Sequence, residues 1–99
     1  MSQHPLKVFE KLDPELLNAV LQSDTFTFTD GALPKKFKLL IAMALDASIG
    51  AANGVKSLTA QAMAAGATKE EVAEALRVTL YIRGASTIFT AAHALEDVF

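Results

Sequence analysis

The chain predicts an all-α fold, a compact bundle of about five helices assembling as an oligomer. Three observations carry the helical reading. Apolar residues recur at the 3.6-residue helical period in one segment after another. Helix start and stop signals separate those segments at Asp13-Pro14-Glu15, Gly50, Gly66 and Thr68-x-x-Glu71. The single stretch with a period of two, Thr25-Phe26-Thr27-Phe28-Thr29, has no second strand to pair with, and a lone strand is not stable.

A short turn of helix is expected within residues 4–12, with Val8 and Phe9 tucked inward. The first full helix is announced by Asp13 as N-cap, Pro14 at the first helical position, where its missing N–H is harmless, and Glu15 at the positive helix end. Leu16, Leu17, Val20 and Leu21 give its apolar stripe. Thr25 to Thr29 is expected to be an extended connector pinned by its two phenylalanines and closed by the Asp30-Gly31 turn. Leu33-Pro34 opens a second helix running to about Ser48. Phe37, Leu40, Ile41, Ala44 and Leu45 follow its period, and Leu39 and Met43 widen the apolar face, so this helix should be central. The third runs from about Ala51 to Ala65 and stops at Gly66, a natural C′ residue. Thr68-x-x-Glu71 is a capping box for the fourth, the cap contributing about 1 kcal/mol. Val72, Leu76, Thr79 and Leu80 are its buried side, with Glu70, Glu74, Arg77 and Tyr81 opposite. Gly84 separates it from a fifth, in which Ala85, Ile88, Phe89, Ala92 and Leu95 are expected to face inward.

Ninety-nine residues suit a single domain, 1–99, without internal repeat, linker or low-complexity segment. A chain this short buries only about 60–65% of its unfolded surface alone. Against that limit 52% apolar residues is high, and much of it is alanine, which brings little area per residue. Burying a further face against copies of itself is the expected remedy. A net charge of −2, with no basic stripe interleaved with aromatics, argues against nucleic acid. The absence of cysteine excludes disulfides, thiol catalysis and thiolate metal sites. The start, Met1 to Lys7, has no apolar core of signal-peptide length, and the longest apolar run, Leu39 to Leu45, is far short of the roughly 20 residues of a membrane span. The expectation is a cytoplasmic protein without membrane contact.

The order of motifs carries a resemblance. Leu33-Pro34-Lys35-Lys36-x-Lys38-Leu39-Leu40-Ile41-Ala42 leads into an alanine-rich helix and a glycine before a new helix. Ala65-Gly66-Ala67-Thr68-Lys69-Glu70-Glu71-Val72 follows, then Leu80-Tyr81-x-x-Gly84-Ala85 and a final alanine-rich helix. The chain resembles the carboxymuconolactone decarboxylase superfamily, whose redox branch is the AhpD-like alkylhydroperoxidases. The resemblance covers most of the chain and implies a small all-α bundle forming trimers or hexamers. In the redox branch a CxxC pair opens the third helix with a histidine one turn on, because a helix N-terminus lowers a thiol pKa and a nearby base relays protons. Counting back from Gly66, the resemblance puts the cysteine positions on Ala51 and Gly54 and the histidine on Leu58. A second histidine falls on Asn53, and the relay glutamate lies near Leu39. None keeps its chemistry, and neither His4 nor His93 is near in sequence. The lactone decarboxylases of the same superfamily keep histidine and acid residues here, where this chain offers Asn53, Lys56 and Ser57.

Several residues could still do chemistry. Asp46 interrupts the apolar run Ala42 to Ala47 and is either a pocket carboxylate or, the preferred reading, an aspartate neutralised by Arg83 or Lys56 or facing water at a helix end. Asn53, Lys56 and Ser57 crowd a helix start that could hold an anion, or else Asn53 is simply a cap and Lys56 solvated. Arg83 could reach the same pocket, though an arginine there more often tends its own helix end. Thr90, His93 and Asp97 share one face of the last helix. A His–Asp general base is conceivable there, but Ser86 is two turns away as nucleophile, and a solvated face or subunit contact is preferred. These residues are too few for a metal site. Met43 and Met63 are expected to fill core.

Two expectations follow. The first is a non-redox oligomeric scaffold or small-ligand-binding protein needing no cofactor, with Asp46, Asn53, Ser57 and Arg83 as candidate ligand-binding residues. The second is a non-thiol enzyme, of decarboxylase or lactone type, acting on a small carboxylate with a pocket near Asp46, Asn53 and Ser57. A deep pocket with Asp46 facing it, free of Lys or Arg partners, would favour the second. A paired Asp46 with Leu39 and Leu58 filling the space would favour the first.

Overall fold

Asp13 and Thr68 start their helices as their sequence contexts dictate. In the computed structural model, which describes residues 5–99, Leu16 N–H donates to Asp13 Oδ1 at 3.1 Å with Pro14 in the first helical position. Glu71 N–H donates to Thr68 Oγ1 at 3.1 Å and Thr68 N–H donates to Glu71 Oε1 at 2.9 Å, completing the capping box. Six helices form among the described residues: α1 (Phe9–Leu12), α2 (Pro14–Phe28), α3 (Lys35–Ser48), α4 (Ala52–Ala64), α5 (Lys69–Arg83) and α6 (Ser86–Leu95). No strand occurs among those residues. The expected short turn is α1, but Val8 is exposed and only Phe9 is half-buried. His4 lies outside the described residues.

The connector expected at Thr25 to Thr29 is instead the last turn of α2, through Phe28, with Thr29 as its extended C-cap. Without a partner strand its backbone groups are best satisfied within a helix. Thr25 Oγ1 donates to Leu21 O at 3.2 Å and Thr29 Oγ1 to Thr25 O, so both hydroxyls fit the helical register. Phe28 packs against the core, whereas Phe26 is 88% exposed and pins nothing. Asp30 makes the turn: its carboxylate accepts the Lys35 N–H at the start of α3, and Lys38 Nζ donates to Thr29 O at 2.7 Å.

The core is built on α3, which packs on α4, α5 and α6. Its buried residues are Leu39, Leu40, Met43 and Ala47, joined by Val55 and Ala62 of α4, Val72 of α5 and Ala91 and Ala94 of α6. The face of α3 is thus turned from the expected one. Leu39 and Met43 are its centre, while Phe37, Ile41 and Leu45 are exposed. A similar shift occurs in α6, where Thr87, Ala91 and Ala94 are buried and Ala85, Phe89 and Ala92 are exposed. Thr87 Oγ1 donates to Gly84 O at 2.8 Å, so the hydroxyl is satisfied and the small side chain can enter the core. Leu80 and Met63 are also exposed, contrary to expectation, so of the two methionines Met43 alone fills core. Gly66, with φ of 105°, ends α4 in a Schellman motif: Ala67 N–H donates to Ala62 O at 2.9 Å and Gly66 N–H to Met63 O at 3.0 Å. No helix among the described residues is long and apolar enough to cross a membrane.

Candidate functional site

The corner between α3 and α4 is closed by one aspartate acting through two different groups. α3 ends in a second Schellman motif: Gly50, at φ 78°, donates its N–H to Ala47 O at 3.3 Å, and Ala51 N–H donates to Asp46 O at 2.9 Å. Ala51 is therefore the closing residue of α3 and also the N-cap of α4, whose first helical bond runs from Val55 N–H to Ala51 O at 3.0 Å. An alanine offers no side-chain acceptor, so α4 begins with no side-chain cap. Asn53, expected as a possible cap, lies inside the first turn and is exposed.

The side chain of the same aspartate lies over α4. A β-carbon placed on Gly54 would overlap the Asp46 carboxylate, with Cγ at 2.8 Å and Oδ2 closer still. Any side chain at position 54 would have to displace that carboxylate, which is half-buried and lies on the first turn of α4. The resemblance gives this position to a thiol. Here a carboxylate from the preceding helix fills the place where such a side chain would start.

The expected cationic partners do not come to Asp46. Lys56 Nζ donates to Asp97 Oδ2 at 2.7 Å, and Arg83 is exposed at the end of α5. Among the described residues Asp46 makes no ion pair. Ser57 is also exposed, accepting from Gln61 Nε2 at 3.1 Å. Leu39 is fully enclosed in the core and Leu58 packs against it. Of the candidates, the structure brings Asp46 onto Gly54 and scatters Asn53, Ser57 and Arg83 over the exposed surface.

The His93–Asp97 pairing is not formed. α6 ends at Leu95, so Asp97 leaves the helical register and turns to Lys56, whose ammonium holds its carboxyl below the usual range. Thr90 Oγ1 donates to Ser86 O at 3.2 Å within α6. Glu71 is also held below its ordinary value, first by the Thr68 backbone N–H and then by Lys36 Nζ at 3.2 Å. No group of three or more His, Cys, Asp or Glu that could hold a metal is found among the described residues.

Sequence reasoning missed Thr59. It is fully buried on α4, and its hydroxyl has no hydrogen-bond partner. Such a group costs about 1–3 kcal/mol. Its only signal was a threonine on the otherwise apolar row with Val55 and Ala62.

Fold and corner together define a small all-α bundle protein with no thiol where α4 begins. The chain belongs to the carboxymuconolactone decarboxylase family, whose sequence pattern matches residues 14–97. It is similar to a carboxymuconolactone decarboxylase family protein from Legionella pneumophila, solved in its apo form. That likeness has a TM-score of 0.85 and 35% identity, covering 92% of this chain and 81% of the other. It is also 29% identical over 93 residues to an uncharacterized protein of Methanocaldococcus jannaschii, covering 94% of this chain and 87% of that one.

Proposed function

We propose that this chain is a non-redox, small-ligand-binding member of its family, with Asp46 as the group that meets the ligand. The carrying observation is the carboxylate lying on Gly54, where a cysteine side chain would have to begin. Thiol chemistry has no atom to run on, since the chain has no cysteine. What the corner offers is one half-buried carboxylate with no cation paired to it among the described residues. A carboxylate so placed favours a hydrogen-bond donor or a cation in what approaches it. The acidic substrate expected from the sequence suits it poorly, because Lys56 is engaged by Asp97 and no cation accompanies Asp46.

A second reading is favoured by that same lack of a cation partner: Asp46 as the acid or base of a non-thiol enzyme, exchanging a proton with a bound donor. Both readings put the ligand on Asp46, and only the second requires turnover.

The test is a thermal-shift screen of small amines, amides and carboxylates against the native protein and Asp46→Asn, run beside a peroxide assay with a dithiol donor. At a hundredfold excess over Kd a ligand stabilises by about 2.7 kcal/mol. The expected result is an amine or amide that raises Tm in the native protein and not in Asp46→Asn, with no peroxide consumption. Equal shifts in both proteins, or steady peroxide turnover, would overturn the proposal.

A further inference from the structure

The groove between α3 and α5 differs from its neighbours in carrying a charge at one end. It holds about 500 Å³, within the range of small-molecule sites. Leu40, Ala44 and Ala75 form its floor, and the exposed Phe37, Ile41 and Val78 its walls. Alanine at two of the floor positions is what leaves the space, since a larger side chain at either would fill it. The polar end is where both helices begin: Lys36 in the first turn of α3 meets Glu71 in the first turn of α5.

Two carboxylates line that end, Glu71 and, one turn further along α5, Glu74. Glu71 is neutralised by Lys36 Nζ, which donates to both its oxygens at 3.2 and 3.3 Å. Glu74 is exposed and makes no ion pair among the described residues. The groove is thus an apolar trough with one uncompensated negative charge on its rim. The positive N-terminal ends of α3 and α5 oppose this sign, but their field falls off within the first turn. Asp30 and Glu71 already meet those ends, and Glu74 lies in the second turn of α5. The neighbouring grooves have no such charge. That between α2 and α3, about 320 Å³, carries Lys38, which is engaged by Thr29 O. That between α5 and α6, about 360 Å³, carries Lys69 and Glu70, whose charges cancel.

We infer that the α3–α5 groove binds a small amphiphilic amine, its apolar body on Leu40, Ala44 and Ala75 and its ammonium at Glu74. A neutral or anionic molecule with the same body lacks the charge-assisted hydrogen bond to Glu74 and gains only from the trough. The inference is separate from the ligand reading: this groove lies on the α5 side of α3, whereas Asp46 lies over α4.

The test is an NMR titration of the native protein, Glu74→Gln and Ala44→Phe with butylamine, hexylamine and octylamine, and with hexanol and hexanoate. Backbone amide shifts should centre on Ala44, Ala75 and Val78, with Kd falling about fourfold for each added methylene. Hexylamine should bind about two- to fivefold more tightly than hexanol, as an exposed charge pair allows, with hexanoate weakest. Glu74→Gln should erase that preference. Ala44→Phe fills the trough and should weaken octylamine at least about tenfold. Glu74 is exposed, so its variant keeps the fold even where Ala44→Phe does not. Ethylamine is too short to lie along the groove and reads Asp46 alone, so the two readings fail separately. Shifts centred on Asp46 and Gly54, an affinity indifferent to chain length, or an amine preference that survives Glu74→Gln would overturn the inference.

Discussion

The starts of α4 and α5 are two solutions to one problem. Each must satisfy the first N–H groups of a helix that packs on α3. α5 does so with a capping box: Thr68 and Glu71 cap it reciprocally and Lys36 reinforces Glu71, while further along the buried Thr79 donates to Ala75 O at 3.1 Å. α4 does not. It has no side-chain cap, a glycine held under a carboxylate, and a buried hydroxyl without a partner at Thr59. A helix start that serves only stability looks like α5. The features that cost stability gather on α4, the helix to which the family resemblance assigns chemistry, as expected where function competes with folding.

This contrast can be broken by substitutions that reverse it. Gly54→Ala has the largest expected effect, since its β-carbon must displace the Asp46 side chain. It should destabilise by about 1–3 kcal/mol in urea unfolding, although alanine is the better helix former. Thr59→Val should stabilise by about 1–2 kcal/mol by removing the unpartnered hydroxyl. Thr79→Val, which loses a satisfied bond, should gain nothing. Thr68→Ala should destabilise by about 1 kcal/mol, lowering Tm by about 4–8 °C, whereas Ala51→Ser, which gives α4 the cap it lacks, should stabilise by about 0.5 kcal/mol. The smallest effect concerns pH. Glu71 and Asp97 have lowered folded-state values, so their contribution is full above the ordinary carboxylate range and disappears as pH falls through the lowered values. Lys36→Met should flatten the acid side of the stability–pH curve only slightly, because the Thr68 backbone N–H is the larger cause at Glu71.

What was legible in the sequence was local. Asp13-Pro14, Thr68-x-x-Glu71 and Gly66 each act within a few residues, and each does what its chemistry requires. Thr25 to Thr29 misled because a period of two over five residues competes with a helix already under way, and threonine hydroxyls can be satisfied inside it. The faces of α3 and α6 differ from the expected ones for another reason: size and hydropathy point Phe37, Ile41 and Phe89 inward, whereas they are exposed on the isolated chain and threonine and alanine are buried. Composition pointed to a surplus of apolar surface, and only the fold shows where it lies: on Leu16, Val20 and Leu21 of α2, Ile41 and Leu45 of α3, Val78 and Ile82 of α5 and Phe89 of α6. The partner of Asp46 was out of reach, because neither Arg83 nor Lys56 approaches it and what it meets is the bare backbone of Gly54.

That contact is the centre of the account, and a double-mutant cycle between Asp46→Ala and Gly54→Ala measures it directly. Urea unfolding of the four proteins gives the coupling. The prediction is that Gly54→Ala costs about 1–3 kcal/mol when Asp46 is present and is neutral or stabilising once it is alanine. An equal effect of Gly54→Ala in both backgrounds would mean that the carboxylate does not occupy the start of α4, and the account would be wrong.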